Sequence, residues 1–126
     1  MTTLAESLPK PLLASTPKKN MPPPIPQRGE VWMVDFGIAA KIRPALVLSI
    51  AYKDEDRALI GVVPHTTTLR GSQFEVSVPV RFLDSGAFLL QGFATMPPRH
   101  FMRRLGVLTP DQLALVEGGM RYWLGL

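Results

Sequence analysis

Arg43 and the run His65-Thr66-Thr67-Thr68 are the residues of this chain whose types best suit chemistry at a phosphate. A guanidinium is planar, stays charged throughout the biological pH range and holds two phosphoryl oxygens at once, so its natural work is to stabilise negative charge. A threonine hydroxyl can donate to such an oxygen, and an imidazole can move a proton near neutral pH. Each has a plainer reading. Arg43 can be a surface arginine opening a strand, the threonines can satisfy the backbone of a turn, and His65 can be an ordinary loop histidine.

A second set is purely electrostatic. Arg99, His100, Arg103 and Arg104 form the densest basic cluster, just after Pro97-Pro98, and Arg70 follows the threonine run. Such groups could grip a nucleic-acid backbone, with an affinity that falls steeply as salt rises. Trp32 and Phe36 could stack on bases, but aromatic residues in a strand belong more often to a core. Asp54, Glu55 and Asp56 are consecutive in a turn-like stretch and read as a solvated loop. With no His and Asp/Glu cluster at ligand spacing, neither a metal site nor a cofactor is expected.

The elements that must position these residues are short strands. From Gly29 onward, apolar runs alternate with turn signals: Glu30 to Phe36, Pro44 to Ala51, Ala58 to Val63 and Ala87 to Thr95, the last with a bend at Gly92. Between them, Phe74 to Val80 alternates apolar and polar residues as a half-buried strand does, with Pro79 implying an edge or bulge. At the C-terminal end, Thr109-Pro110-Asp111-Gln112 is a capping box opening a helix. Its stripe of Leu113, Val116, Met120 and Trp123 would lie on the sheet as core. Gaps this short leave no room for parallel crossovers. The expected fold is therefore mainly β, a small antiparallel barrel with a C-terminal helix.

Composition sets the outer limits. The chain has 126 residues, 46% of them hydrophobic and 19% charged, which suits one folded domain. Residues 1–27 carry seven of the thirteen prolines and no apolar period, so they read as a disordered tail leading into a domain over 28–126. The net charge of +4 divides equally between tail and body, so charge alone does not choose a partner. There is no cysteine, which removes disulfides and thiolate metal sites and favours a reducing, cytoplasmic setting. No apolar stretch approaches the roughly 20 residues of a membrane span, and no export signal is visible.

Three segments, in order and at matching spacing, resemble the MazF/PemK family of toxin endoribonucleases: Gln27 to Phe36 (QRGEVWMVDF), Arg43 to Ser49 (RPALVLS) and Val63 to Val76 (VPHTTTLRGSQFEV). The resemblance covers about a hundred residues. It implies an SH3-like small barrel of about five to seven strands, pairing into a homodimer that cuts single-stranded RNA without a metal ion and is checked by a cognate antitoxin. It places the catalytic arginine at Arg43 and the catalytic hydroxyl at Thr66. His65, beside Thr66, is a possible general acid or base of this chain's own. Arg70, Arg99, Arg103, Arg104 and Gln91 are candidate RNA contacts. The chain departs from the family in two places. The Gly37 to Ile42 loop is short, and Leu90-Gln91 stands where many relatives have Asp-Gln, so base preference does not carry over. Two other functions fit the same fold: a non-catalytic nucleic-acid-binding module, and a toxin directed at DNA gyrase.

Overall fold

Three consecutive antiparallel strands form the centre of the computed structural model, which describes residues 24–39 and 41–126: β1 (Glu30–Asp35), β2 (Ile42–Val47) and β3 (Ile60–Thr66). Cross-strand pairing puts Val31, Leu46 and Val63 on one face and Trp32, Ala45, Val47 and Val62 on the other. Both faces are covered. The first packs on Phe88, Leu90, Val116 and Met120; the second is joined by Phe36, Tyr52, Met96 and Phe101. Strands buried on both sides need apolar residues at successive positions, which is why these segments read as runs and not as alternations.

The remaining strands extend this centre. β4 (Glu75–Val76) pairs with β5 (Ala87–Leu89), and the sheet runs β4-β5-β3-β2-β1-β7, with β6 (Ala94–Met96) also on β3 and β7 (Phe101–Val107) outermost beside β1. The expected antiparallel β fold with a terminal helix is present, as a seven-stranded sheet that stays open between β4 and β7. Helix α1 (Pro110–Leu124) begins at the anticipated capping box. Gln112 N–H donates to Thr109 Oγ1 at 3.2 Å and Thr109 N–H to Gln112 Oε1 at 2.8 Å. Val116 and Met120 are buried core, and Trp123 packs at its margin.

Several elements depart from the sequence reading. β3 runs three residues beyond Val63, so His65 and Thr66 lie on a strand and not in a loop. The Phe74 to Val80 segment keeps its alternation, with Val78 and Val80 buried and Ser77 and Pro79 exposed, but only Glu75–Val76 joins a ladder. The Ala87 to Thr95 run divides at a 3-10 turn, Leu90–Gly92, opposite Pro64. A Cβ on Gly92 would meet Pro64 Cγ at 2.7 Å, and Pro64 has no N–H to offer a partner, so one strand cannot pass straight along β3 there. β7 occupies the stretch that the sequence marks only as a basic cluster. The proline-rich stretch expected over residues 1–27 lies outside the described residues, apart from 24–27.

Glu30 ties β1 to the outermost strand β7. Its carboxylate accepts from Gln27 N–H at 2.8 Å, Trp32 Nε1–H at 3.0 Å and Arg104 Nε–H at 3.0 Å. Burial pushes its carboxyl up, but these bonds outweigh burial and hold it below the usual value. Glu30→Ala would leave three donors without their acceptor. Denaturant unfolding should then show a loss of about 1–3 kcal/mol; unchanged stability would mean that water replaces the carboxylate without cost.

Candidate active site

The ladder between β2 and β3 ends at the Ala45–Pro64 pair. Pro44 and Pro64 both lack an N–H, so the strands have no means of continuing their ladder in regular fashion. Two residues further on, the same register would set Arg43 opposite Thr66. Side chains on a strand alternate, so Arg43 shares the face of Ala45 and Val47, and Thr66 that of Pro64 and Val62. Both point to one side of the sheet. A cleft of about 240 Å³ opens there, lined by Lys41, Arg43, Pro44, His65, Thr66 and Asp84 among others.

Thr66 is half-buried at the end of β3, and its hydroxyl is oriented by the turn that follows. Thr68 N–H donates to Thr66 Oγ1 at 3.1 Å, while Thr66 Oγ1–H reaches Thr68 O at 3.4 Å. The outward bond is long and weak, so the hydroxyl proton can be given to a ligand instead. The other wall comes from the β1–β2 connection. Phe36 N–H donates to Lys41 O at 3.0 Å, Lys41 N–H to Gly37 O at 2.7 Å and Gly37 N–H to Asp35 Oδ1 at 2.8 Å. His100 Nδ1 lies 2.9 Å from Asp35 O, which braces the base of this loop from the 3-10 turn just before β7.

His65 is 4% exposed and packs edge-to-face on Phe88, with ring centroids 5.0 Å apart. Strand alternation turns it away from the Thr66 side, though it still lines the cleft. Burial lowers the pKa of its imidazole below the usual 6.5, with Asp84 pulling the other way. At neutral pH the ring is therefore uncharged. Gly86 makes this arrangement possible: a Cβ there would lie 2.2 Å from Thr66 O and 2.8 Å from His65 Cε1.

A second cavity of about 420 Å³ adjoins the first and shares Thr66 and Thr68 with it; Arg70 and Gln91 are on its wall. The structure thus gathers Arg43, Thr66 and His65 in one cleft and sets Arg70 and Gln91 beside it. Arg99, Arg103 and Arg104 line neither cavity. They are exposed at the β7 edge, where Arg103 and Arg104 pair with Met33 and Trp32 of β1, and Arg104 is bound to Glu30. Trp32 is core, as expected. Lys41 and Asp84 are cleft residues that the sequence did not disclose, because a turn lysine and a turn aspartate carry no pattern. Among the described residues, no three His, Cys, Asp or Glu side chains gather where they could hold a metal ion. No helix among them is long and apolar enough to cross a membrane.

Residues 27–124 match the family described as PemK-like, MazF-like toxin of type II toxin-antitoxin system. The chain belongs to this family. Solved MazF-family structures share the fold. The match to MazF (form I) from Deinococcus radiodurans has a TM-score of 0.70 at 29% identity, covering 82% of this chain and 100% of that one. That to the MazE-MazF complex (form II) from the same organism has a TM-score of 0.68 at 29% identity, over 82% and 99%. An endoribonuclease in complex with its cognate antitoxin, from a mycobacterial species, matches with a TM-score of 0.69 at 24% identity, over 81% and 97%, a likeness of fold. No curated protein matches significantly. Within this MazF-like toxin, the matched region contains all three segments that carried the resemblance, and with them Arg43 and Thr66 of the central cleft.

Proposed function

We propose that this MazF-like toxin is a metal-independent endoribonuclease that cuts single-stranded RNA, acts in the cytoplasm as a homodimer and is restrained by a cognate antitoxin. The observation that carries the reading is the placement of Arg43 and Thr66 on one side of a cleft at the open end of the β2–β3 ladder. A scissile phosphate seated there would have its two non-bridging oxygens against the Arg43 guanidinium and the Thr66 hydroxyl. Neutral His65, which lines the cleft from the opposite face of β3, takes the proton of the ribose 2′-hydroxyl through an intervening water as O2′ bonds to phosphorus. Negative charge builds on the phosphoryl oxygens, where Arg43 and Thr66 meet it. The P–O5′ bond then breaks, and the departing oxygen receives a proton from the imidazolium. The proton count balances, and nothing is oxidised or reduced.

Arg70, Thr68 and Gln91 would hold the flanking nucleotide in the adjoining cavity. Arg99 and Arg103 would meet a longer strand at the β7 edge, where Arg104 would have to leave Glu30 to do the same. An antitoxin partner is supported by the D. radiodurans MazE-MazF complex, whose fold this chain shares. The chemistry has a direct test. Single-stranded RNA incubated with purified protein in EDTA should yield 2′,3′-cyclic phosphate and 5′-hydroxyl ends, and an oligonucleotide with 2′-deoxyribose at the cut site should stay whole. RNA that is shifted but never cut would indicate a binding module, and intact RNA with trapped cleaved DNA a gyrase poison.

A further inference from the structure

The segment between β3 and β4 is joined to β5 only at its end, where Leu90 N–H, just past that strand, donates to Phe74 O at 3.0 Å, and yet it forms one wall of the cavity beside the cleft. Three side chains hold its shape, one of them Ser72, whose Oγ accepts from Phe74 N–H at 3.1 Å. At its start, Thr68 N–H is tied to Thr66 Oγ1. At its end, the Glu75 carboxylate accepts four hydrogen bonds from three successive backbone N–H groups. Arg70 N–H reaches both oxygens, at 3.1 and 3.0 Å; Gly71 N–H is at 2.9 Å and Ser72 N–H at 3.1 Å. Successive N–H groups converging on one point make a concave anion nest, and here the anion is supplied by the chain itself. Gly71, at φ +80°, takes the left-handed conformation that the nest's curvature requires. These bonds also hold the Glu75 carboxyl below its usual value, the Arg70 N–H foremost, so the group is charged when it grips the loop.

The wall so held carries Thr68, Arg70 and Ser72 toward the cavity that Gln91 lines from the other side; Glu75 also lines it, with its carboxylate taken up by the loop N–H groups. The Arg70 guanidinium makes no close ion pair among the described residues, although its charge helps to lower the Glu75 pKa. Its backbone is fixed, while its guanidinium stays exposed on the cavity wall, outside any close ion pair. We propose that Glu75 is a positioning residue of the active site: by filling the Arg70–Ser72 nest, it holds Thr68 and Arg70 where they flank the nucleotide next to the scissile phosphate. This rests on the ribonuclease reading. It assigns to Glu75 no contact with RNA, only the geometry of residues that have one.

The test uses the full chain, an oligoribonucleotide that the native protein cuts, and two variants, Glu75→Ala and Glu75→Gln. Glu75→Ala should raise KM by roughly tenfold or more with a smaller change in kcat, because flanking contacts are misplaced while the Arg43 cleft is kept. Amide hydrogen exchange of residues 67–74 should quicken in the same variant, with the β1–β3 amides unchanged. Glu75→Gln, which retains one acceptor oxygen, should recover part of the loss in KM. Faster loop exchange with native KM would overturn the inference, leaving Glu75 a structural tie only. Unaltered loop exchange would overturn it at an earlier step. A native protein that cuts no RNA would instead remove the ribonuclease reading and this inference with it, and that result is distinguishable because it precedes any variant.

Discussion

Arg43→Ala is expected to slow RNA cleavage by about 10²–10³-fold while the protein melts at its native temperature, because removing one preorganised donor to a developing oxyanion costs that much. The side chain is half-buried at the mouth of the cleft, and it belongs to neither hydrophobic cluster. Truncation should therefore spare the fold. Arg43→Lys should recover little, since a point charge cannot match a fork that holds two phosphoryl oxygens. Single-turnover rates on one oligoribonucleotide, with thermal melts alongside, check both statements. A fully active Arg43→Ala protein would leave the cleft without its main source of charge stabilisation.

The second large effect is a pH dependence centred on His65. Its imidazole is buried and its pKa lowered, so the neutral, proton-accepting form persists to lower pH than for a free histidine. The acid limb of kcat/KM should accordingly fall below the ordinary value of 6.5. His65→Gln should lower the rate by about 10²-fold and flatten that limb. An unchanged profile would take His65 out of the mechanism. Stability carries the same sign. The unfolded chain binds this proton more readily than the native one, so the contribution of neutral His65 is complete above pH 6.5 and is lost as pH falls through the lowered native pKa. Native protein should soften over that window more than His65→Gln does.

Much of this fold was legible because its signals are local. Thr109 and Gln112 announce the helix within four residues, and the apolar runs at Val31, Leu46 and Val62 mark strands buried on both sides. What escaped was set by distant partners. β7 looked like a basic cluster because Arg103 and Arg104 are adjacent, where a half-buried strand would alternate. At an outer edge, with two register shifts against β1, both side chains can reach solvent. His65 read as a loop residue because Pro64 usually ends a strand, whereas here β3 continues to meet β5 at the His65–Phe88 and Thr66–Ala87 pairs. Arg43 and Thr66 could be named from motif order, but their shared side of the sheet depends on the β2–β3 register, which no local pattern states. Glu75 and Asp84 act on Arg70–Ser72 and on His65, which lie within the Val63 to Val76 segment, but through folded-state contacts that no motif states.

Backbone and arginine side-chain NMR shifts, recorded while an oligoribonucleotide blocked by 2′-O-methylation at the cut position is titrated in, would locate the substrate directly. The largest changes should fall on the Arg43 Nε–H and the Thr66 and Thr68 amides, with weaker ones at Arg70 and Gln91. Saturable changes confined to Arg99–Val107, with Arg43 and Thr66 unmoved, would contradict the assignment of that cleft as the place where RNA is cut.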